Sequence, residues 1–296
     1  MVRGETHGAR CTRTSHRALA HGARDEWHNR SVPLHEYKRK RDFTKSPEPA
    51  GDEEKSRRER KGKPLYFCVQ KHLASHLHYD LRLEHDGVLM SWAVPKGPSL
   101  DPKTKRLAMH VEDHPIEYGS FEGVIPEGYG AGIVMLWDQG TWTPQSDDVD
   151  AALKKGDLKF TLDGYKLKGS WVLVRTRGWG KNAKDDGRSW LLIKHKDDWA
   201  GDVDIATFAP LSVKSSQDFH EILAADNPDI WRSHKGGDGP AQGGETGAML
   251  RDIVAKAAAL KAERAAPPAE GQRRKPSAAP RASTRPTKTA AKRRTR

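Results

Sequence analysis

At 296 residues and 33.0 kDa the chain has room for one sizeable domain plus tails. With 35% hydrophobic and 31% charged residues, much of the length is surface or unfolded tail, so the core must be local. The net charge of +12 and pI near 9.6 make a polyanion the default partner. Charge alone does not separate nucleic acid from a membrane surface or a solubility tail. Cys11 and Cys68, far apart and in no C-x-x-C pair, exclude a disulfide framework or a thiolate zinc cage. No stretch approaches the ~20 apolar residues needed to span a bilayer, and the start lacks a secretory core. The expectation is a cytoplasmic, nucleoid-associated protein with no membrane partner.

In chain order, residues 1–33 form an Arg- and His-rich arm without periodicity, read equally as disordered or as an over-long start. A short basic helix is predicted over Leu34–Phe43, ended by the prolines of Lys45-Ser46-Pro47-Glu48-Pro49. The charged run Asp52–Lys63 reads as a solvated linker or mobile loop. From Leu65 short alternating segments predict eight strands: Leu65–Gln70, His78–His85, Val88–Val94, Arg106–Glu112, Gly132–Trp137, Leu158–Leu162, Ser170–Arg177 and Trp190–His195. Asp86-Gly87 and Asp138-Gln139-Gly140 supply hairpin turn chemistry. The predicted fold class is mainly β, an antiparallel closed or nearly closed barrel of about eight strands with flanking helices. Beyond Pro210, Ser216 is a candidate helix cap for a segment running to Leu223, and Gly247–Arg264 is a second helix. Residues 271–296 carry ten Lys or Arg and no acid, a composition that binds phosphate backbones without reading bases. The expected layout is an N-terminal arm at 1–33, a barrel domain at 34–210, a helical extension at 211–265 and a basic tail at 266–296.

Chemistry concentrates in Gln70-Lys71-His72-Leu73-Ala74-Ser75-His76-Leu77-His78-Tyr79-Asp80-Leu81-Arg82-Leu83-Glu84. On a strand, His78, Asp80, Arg82 and Glu84 share one face, and Tyr79, Leu81 and Leu83 the other. An imidazole and a carboxylate two residues apart suit a divalent ion, and His72 on the neighbouring strand is the choice for a third ligand. Arg82 follows on the same face to meet a phosphate. A half-exposed strand turning polar residues outward is the plain alternative for a lone H-x-D; the added Arg and second His weigh against it. A helical His72/His76 metal pair lacks the Glu that the H-E-x-x-H mechanism requires. In a second cluster, Arg106 to Tyr118, Arg106, Ala108, His110 and Glu112 share a predicted strand face, and His114 falls where the strand yields to a turn at Pro115. Two motifs are set aside. Lys184-Asp185-Asp186-Gly187 fits K-x-D-G but lacks a preceding apolar strand, and Gly128-Tyr129-Gly130-Ala131-Gly132 precedes a strand where a phosphate loop needs a helix.

The runs Phe67–Glu84, Ser91-Trp92-Ala93-Val94-Pro95-Lys96-Gly97-Pro98-Ser99 and Val111–Tyr118 together resemble the 3′-phosphoesterase domain of bacterial ATP-dependent DNA ligase D. The similarity runs from about Tyr37 to about His195. It implies a β-barrel hydrolase, usually manganese-dependent, that removes 3′-terminal ribonucleosides and then the 3′-phosphate in end-joining repair, leaving a 3′-OH. The two-nitrogen, one-oxygen ligand set suits Mn2+ and does not exclude Zn2+ or Co2+. Matched position by position, the resemblance implies metal ligands at His72, His78 and Asp80, and phosphate-binding or catalytic groups at Arg82, His114 and Tyr118. Further functional positions are Arg41, Asp42, Glu48, Gln70, Ser91, Lys96, Arg106 and Glu112. His76 is not carried over and is expected at the surface. No ligase or polymerase module is apparent, which reads as a free-standing version. The expected partners are DNA 3′ ends, as primer-template bearing a 3′-ribonucleotide or 3′-phosphate, together with Ku and a ligase. Rival readings are a non-catalytic basic DNA-end-binding protein and a zinc hydrolase of another phosphoester.

Overall fold

The computed structural model describes residues 34–44, 47–125, 130–176, 187–225 and 244–265. The N-terminal arm, the basic tail and most of the Lys184 to Gly187 motif lie outside these residues. Two short helices, α1 (His35–Arg39) and α2 (Glu53–Arg60), precede β1 (Tyr66–Leu73), β2 (Leu77–His85), β3 (Val88–Val94) and β4 (Arg106–His110). Then come β5 (His114–Pro115), a 3-10 helix (Ile116–Ser120), β6 (Gly123–Ile125) and the long β7 (Gly132–Pro144). The remainder is α3 (Val149–Lys155), β8 (Asp157–Gly164), β9 (Lys168–Arg175), β10 (Ser189–Lys194), α4 (Ile205–Phe208), α5 (Phe219–Ala225) and α6 (Gly244–Ala265).

The hydrogen-bonded order is β1-β2-β3-β4-β10-β9-β8-β7, and β7 pairs back onto β1, so eight antiparallel strands close a barrel. These are the eight segments anticipated from the sequence. Closure leaves no open edge along this ring. The two remaining strands, β5 on β3 and β6 on β7, are too short for an alternation pattern to announce them. Inward positions are apolar: Phe67 and Val69 on β1, Tyr79, Leu81 and Leu83 on β2, and Trp92, Trp137, Trp142, Trp171 and Trp190 fill the interior. Phe219, Ile222 and Leu223 of α5 and Ile253 and Ala257 of α6 join the same core, so the helical extension packs onto the barrel. Among the described residues no helix is long and apolar enough to cross a membrane.

Asp86 (φ +49) and Gly87 (φ +83) form the two-residue β2–β3 turn; successive positive φ values are what that hairpin requires. Four other expectations are corrected. Asp138-Gln139-Gly140 is no hairpin but lies within β7, where Asp138 accepts bonds from Lys166 N (3.0 Å) and Leu167 N (2.8 Å) and so shapes the β8–β9 turn. The run 52–63 is no loose linker. Asp52 caps α2 by accepting from Lys55 N (3.0 Å), and Arg60 clamps the buried Glu84 at 2.8 and 2.6 Å. Ser216 caps nothing: it sits at φ +61, and the chain enters α5 through Asp218, whose Oδ1 accepts from Phe219 N. β4 ends at His110: Val111 N still makes the ladder bond to Ser91 O (3.0 Å), and Glu112 is left in the following loop.

Candidate metal and phosphoester site

The site lies on the outer face of the barrel wall, opposite the apolar interior. Antiparallel register makes it: Gln70 pairs Asp80, His72 pairs His78, and Arg82 pairs Ser91, and paired residues project to the same side. The chemical face of β2 is therefore real. It is not half-exposed: Asp80, Arg82 and Glu84 are buried, roofed by α1, the segment at 47–51 and the 3-10 helix.

His72, His78 and Asp80 bring one ligand atom each to within 4.8 Å of one another. His72 Nδ1 is 3.8 Å from Asp80 Oδ2, and His78 Nε2 is 3.7 Å from Asp80 Oδ1. Each ring's other nitrogen meets a carbonyl, His72 Nε2 at Gly130 O (2.9 Å) and His78 Nδ1 at His76 O (2.9 Å). A carbonyl only accepts, so those nitrogens carry the hydrogens and the lone pairs turn inward, toward Asp80. Backbone-fixed tautomers are the usual outer shell of histidine metal ligands. Burial holds the His72 imidazole below its ordinary pKa and hence neutral, as a ligand must be. Burial alone would raise Asp80, but Arg82 and the two imidazoles outweigh it and hold the carboxyl well below the usual range. Two imidazole nitrogens and an ionised oxygen, all within 4.8 Å of one another, fit a single divalent ion with bonds of about 2.1 Å after a contraction.

Arg82 stands behind this cluster. Its Nε donates to Gln70 Oε1 (2.7 Å), Nη1 to Ser91 Oγ (2.8 Å) and Nη2 to Asp80 Oδ2 (3.1 Å), and the guanidinium lies 4.8 Å from the Tyr118 ring centroid. Among the described residues each terminal nitrogen has one such bond, leaving one N–H on each for an oxyanion. Gln70 fixes the roof to the wall: its amide donates to Tyr118 O and Phe121 O, both at 2.9 Å. Burial pushes the Tyr118 phenol well above its ordinary pKa, so it stays protonated.

His114 sits in β5, paired with Leu89. Its Nδ1 donates to Glu112 O (2.8 Å) and its Nε2 accepts from Arg41 Nη2 (3.2 Å). Burial, then the charges of Arg82 and Arg41, hold the ring neutral, with a pKa well below the ordinary value. Arg41 also reaches Glu48 Oε1 (2.8 Å) and Glu112 Oε1 (3.1 Å), and Lys40 pairs the other Glu112 oxygen (3.1 Å). Buried Glu112 is raised by desolvation but lowered further by a backbone bond and by these cations, so it is ionised.

Of the residues singled out in the sequence, Gln70, His72, His78, Asp80, Arg82, Ser91, His114 and Tyr118 converge in one cluster. Arg41, Glu48 and Glu112 form an ion-pair layer behind it. Asp42, Lys96 and Arg106 stand apart. Asp42 is exposed and accepts from Thr44 N and Oγ1, building a turn. Lys96 is exposed at the rim, two residues beyond Val94, the partner of Tyr79. Arg106 projects with Ala108 on the inward face of β4, with a buried Nε that has no hydrogen-bond partner among the described residues. His76 is exposed and lends only its carbonyl. Two contributors were not foreseen. The Tyr37 ring lies beneath Arg41 (4.0 Å) and against His114 (5.0 Å), and Gly130 supplies the carbonyl that orients His72. A lone aromatic among the charges of α1 was the only signal for the first.

Together these features define a closed β-barrel with a candidate metal centre and a buried guanidinium on its outer wall. Residues 70–175 match the family described as the DNA ligase D 3′-phosphoesterase domain. The multifunctional non-homologous end joining protein LigD of Pseudomonas aeruginosa is 57% identical over 175 residues, covering 59% of this chain and 20% of that protein. LigD of Mycolicibacterium smegmatis is 41% identical over 167 residues, covering 54% of this chain and 20% of the relative. The corresponding Mycobacterium tuberculosis protein is 43% identical over 146 residues, covering 49% and 18%. The chain thus spans about a fifth of the length of the curated relatives it matches.

Proposed function

We propose that this protein is a divalent-metal-dependent DNA 3′-end-healing phosphoesterase of end-joining repair. It acts on primer-template ends, removing a 3′-terminal ribonucleoside and then the 3′-phosphate to leave a 3′-OH. The observation that carries this reading is the inward convergence of His72 Nδ1, His78 Nε2 and Asp80, with both outer ring nitrogens anchored on carbonyls and Arg82 alongside.

His72, His78 and Asp80 would hold the ion, with Mn2+ the expected metal and Zn2+ or Co2+ compatible. Bound there, such an ion supplies Lewis-acid polarisation of a phosphoryl oxygen and a more acidic water. Arg82, held rigid by Gln70, Ser91 and Asp80, offers its two remaining N–H groups to the phosphoryl oxygens as charge develops. The reaction is hydrolysis: water adds to phosphorus, the bond to the leaving oxygen breaks, and that oxygen takes up a proton. His114 does not deliver it in this arrangement, since Nε2 accepts from Arg41 and Nδ1–H is given to a carbonyl. We therefore assign His114 to fixing Arg41 beside the phosphoryl group, and the protonated Tyr118 phenol to donating toward it. Ku and a ligase are the expected partners, and a cytoplasmic, nucleoid-associated setting fits the reaction.

The test is release of phosphate from a 3′-phosphorylated primer-template with and without Mn2+. Wild type is expected to turn over only with metal, and His78→Ala and Asp80→Ala to lose at least a hundredfold. Undiminished turnover by either variant would refute the assignment. Metal-independent binding of ends without product would favour the non-catalytic DNA-end-binding reading.

A further inference from the structure

A surface beside the metal centre has no role in the chemistry above. Ala93 on β3 pairs both with Asp80 on β2 and with Met109 on β4, so Met109 stands level with Asp80 on the same outer face. Two strand spacings, ~10 Å, separate them. Leu107, two residues along on that face, is 37% exposed, and Leu191, its partner on β10, is half-buried. An outward barrel position is ordinarily polar, and here the positions beside the site are apolar.

The rim of this floor is basic. The connection from β3 to β4 presents Lys96, Lys103 and Lys105, all exposed and without an ion pair among the described residues. Its single acid, Asp101, accepts from Lys103 N (2.9 Å) and Thr104 Oγ1 (2.9 Å) and so shapes the turn. The connection is anchored at two points. Gly97, at φ +67, lies against the Tyr79 ring, where an added Cβ would come to 3.0 Å, and Leu100 O accepts from Gly201 N (3.1 Å). The lysines are therefore carried on a fixed ledge.

We infer that this ledge and floor, Lys103 and Lys105 above Leu107 and Met109, form the docking surface for the DNA strand leading to the reacting 3′ end. The inference rests on the function proposed above. At about 3.4 Å of duplex axis per nucleotide, ~10 Å places the two or three nucleotides before the 3′ terminus over Met109 and Leu107. Lysines meet their phosphates as point charges, and the apolar floor packs against sugar and base without selecting sequence.

The test compares full-length wild type, Lys105→Glu, Leu107→Asp and a charge-matched control, Lys61→Glu just beyond α2. The readouts are steady-state kinetics on a 3′-phosphorylated primer-template with Mn2+, anisotropy of the labelled DNA, and Mn2+ titration by calorimetry. The expected result is a KM and a DNA Kd raised at least tenfold for Lys105→Glu and Leu107→Asp, with kcat and Mn2+ affinity within twofold of wild type. Lys61→Glu should stay within threefold on every measure. Equal losses for Lys61→Glu and Lys105→Glu, or unchanged DNA affinity for both ledge variants, would overturn the inference. If wild type binds but never turns over, while the ledge variants still bind weakly, the enzymatic reading falls and the docking surface stands.

Discussion

The proton inventory of His114 has a consequence for stability that can be measured directly. The ring is buried and held neutral by desolvation and by the adjacent guanidinium groups, so its folded pKa lies well below the ordinary imidazole value. In the unfolded chain it titrates near ~6.5. Between those two values the unfolded state binds more protons than the folded state, so stability rises with pH and is lost as pH falls below about 6.5. The slope from this one group is at most ~1.4 kcal/mol per pH unit. Urea unfolding at pH 7 and pH 5 should therefore show wild type losing more stability on acidification than His114→Asn. Parallel losses would mean that His114 is not the buried neutral group described. Activity is expected to fall only at lower pH, where the folded ring itself takes up a proton and can no longer accept from Arg41.

Among the elements, the junction of β1 and β7 governs the metal site. The chain reverses at Gly130 and enters β7 at Gly132, where a Cβ would come to 2.3 Å from Leu73 O, a backbone atom with nowhere to move. Leu73 follows His72, and Gly130 O holds the far nitrogen of the His72 ring. Gly132→Ala should thus push the start of β7 off the end of β1 and turn the His72 imidazole away from Asp80. Calorimetric titration is expected to show Mn2+ affinity reduced at least tenfold while the far-ultraviolet signature of the barrel persists. Retained affinity would show that β1 tolerates the shift. The rejection of Gly128-Tyr129-Gly130-Ala131-Gly132 as a phosphate loop stands on the same geometry: its described part leads into a strand and contributes a carbonyl to an imidazole. The charged run at 52–63 teaches a different lesson. Its helix is secured by the Asp52 cap and by Arg57 and Arg60 gripping Asp86 and Glu84 of the β2–β3 hairpin, partners distant in sequence.

For the whole molecule, charge and chemistry should prove separable. Residues 271–296 hold ten Lys or Arg and no acid. Truncation after Arg264 is expected to weaken binding to primer-template at least tenfold in 50 mM salt and to flatten the dependence of log affinity on log salt, while kcat at saturating DNA is retained. An unchanged salt slope would remove the tail from the binding interface. The sequence by itself determined the eight barrel strands, because each is a short run that turns an apolar face to the barrel interior between turn residues. From the alternation of side chains along a strand it determined that His78, Asp80 and Arg82 share a side of β2. It also located the Asp86-Gly87 turn, whose residue types fit the positive φ values there. Only the tertiary structure decided that this chemical side is roofed and buried, since the roof comes from α1, Glu48 and the 3-10 helix, brought over the wall by contacts across tens of residues. It also decided which nitrogen of each histidine faces inward, that His114 accepts from Arg41, and that Arg106 points away. Those facts depend on register between strands and on carbonyls supplied by other segments, and periodicity along one strand carries no information about either.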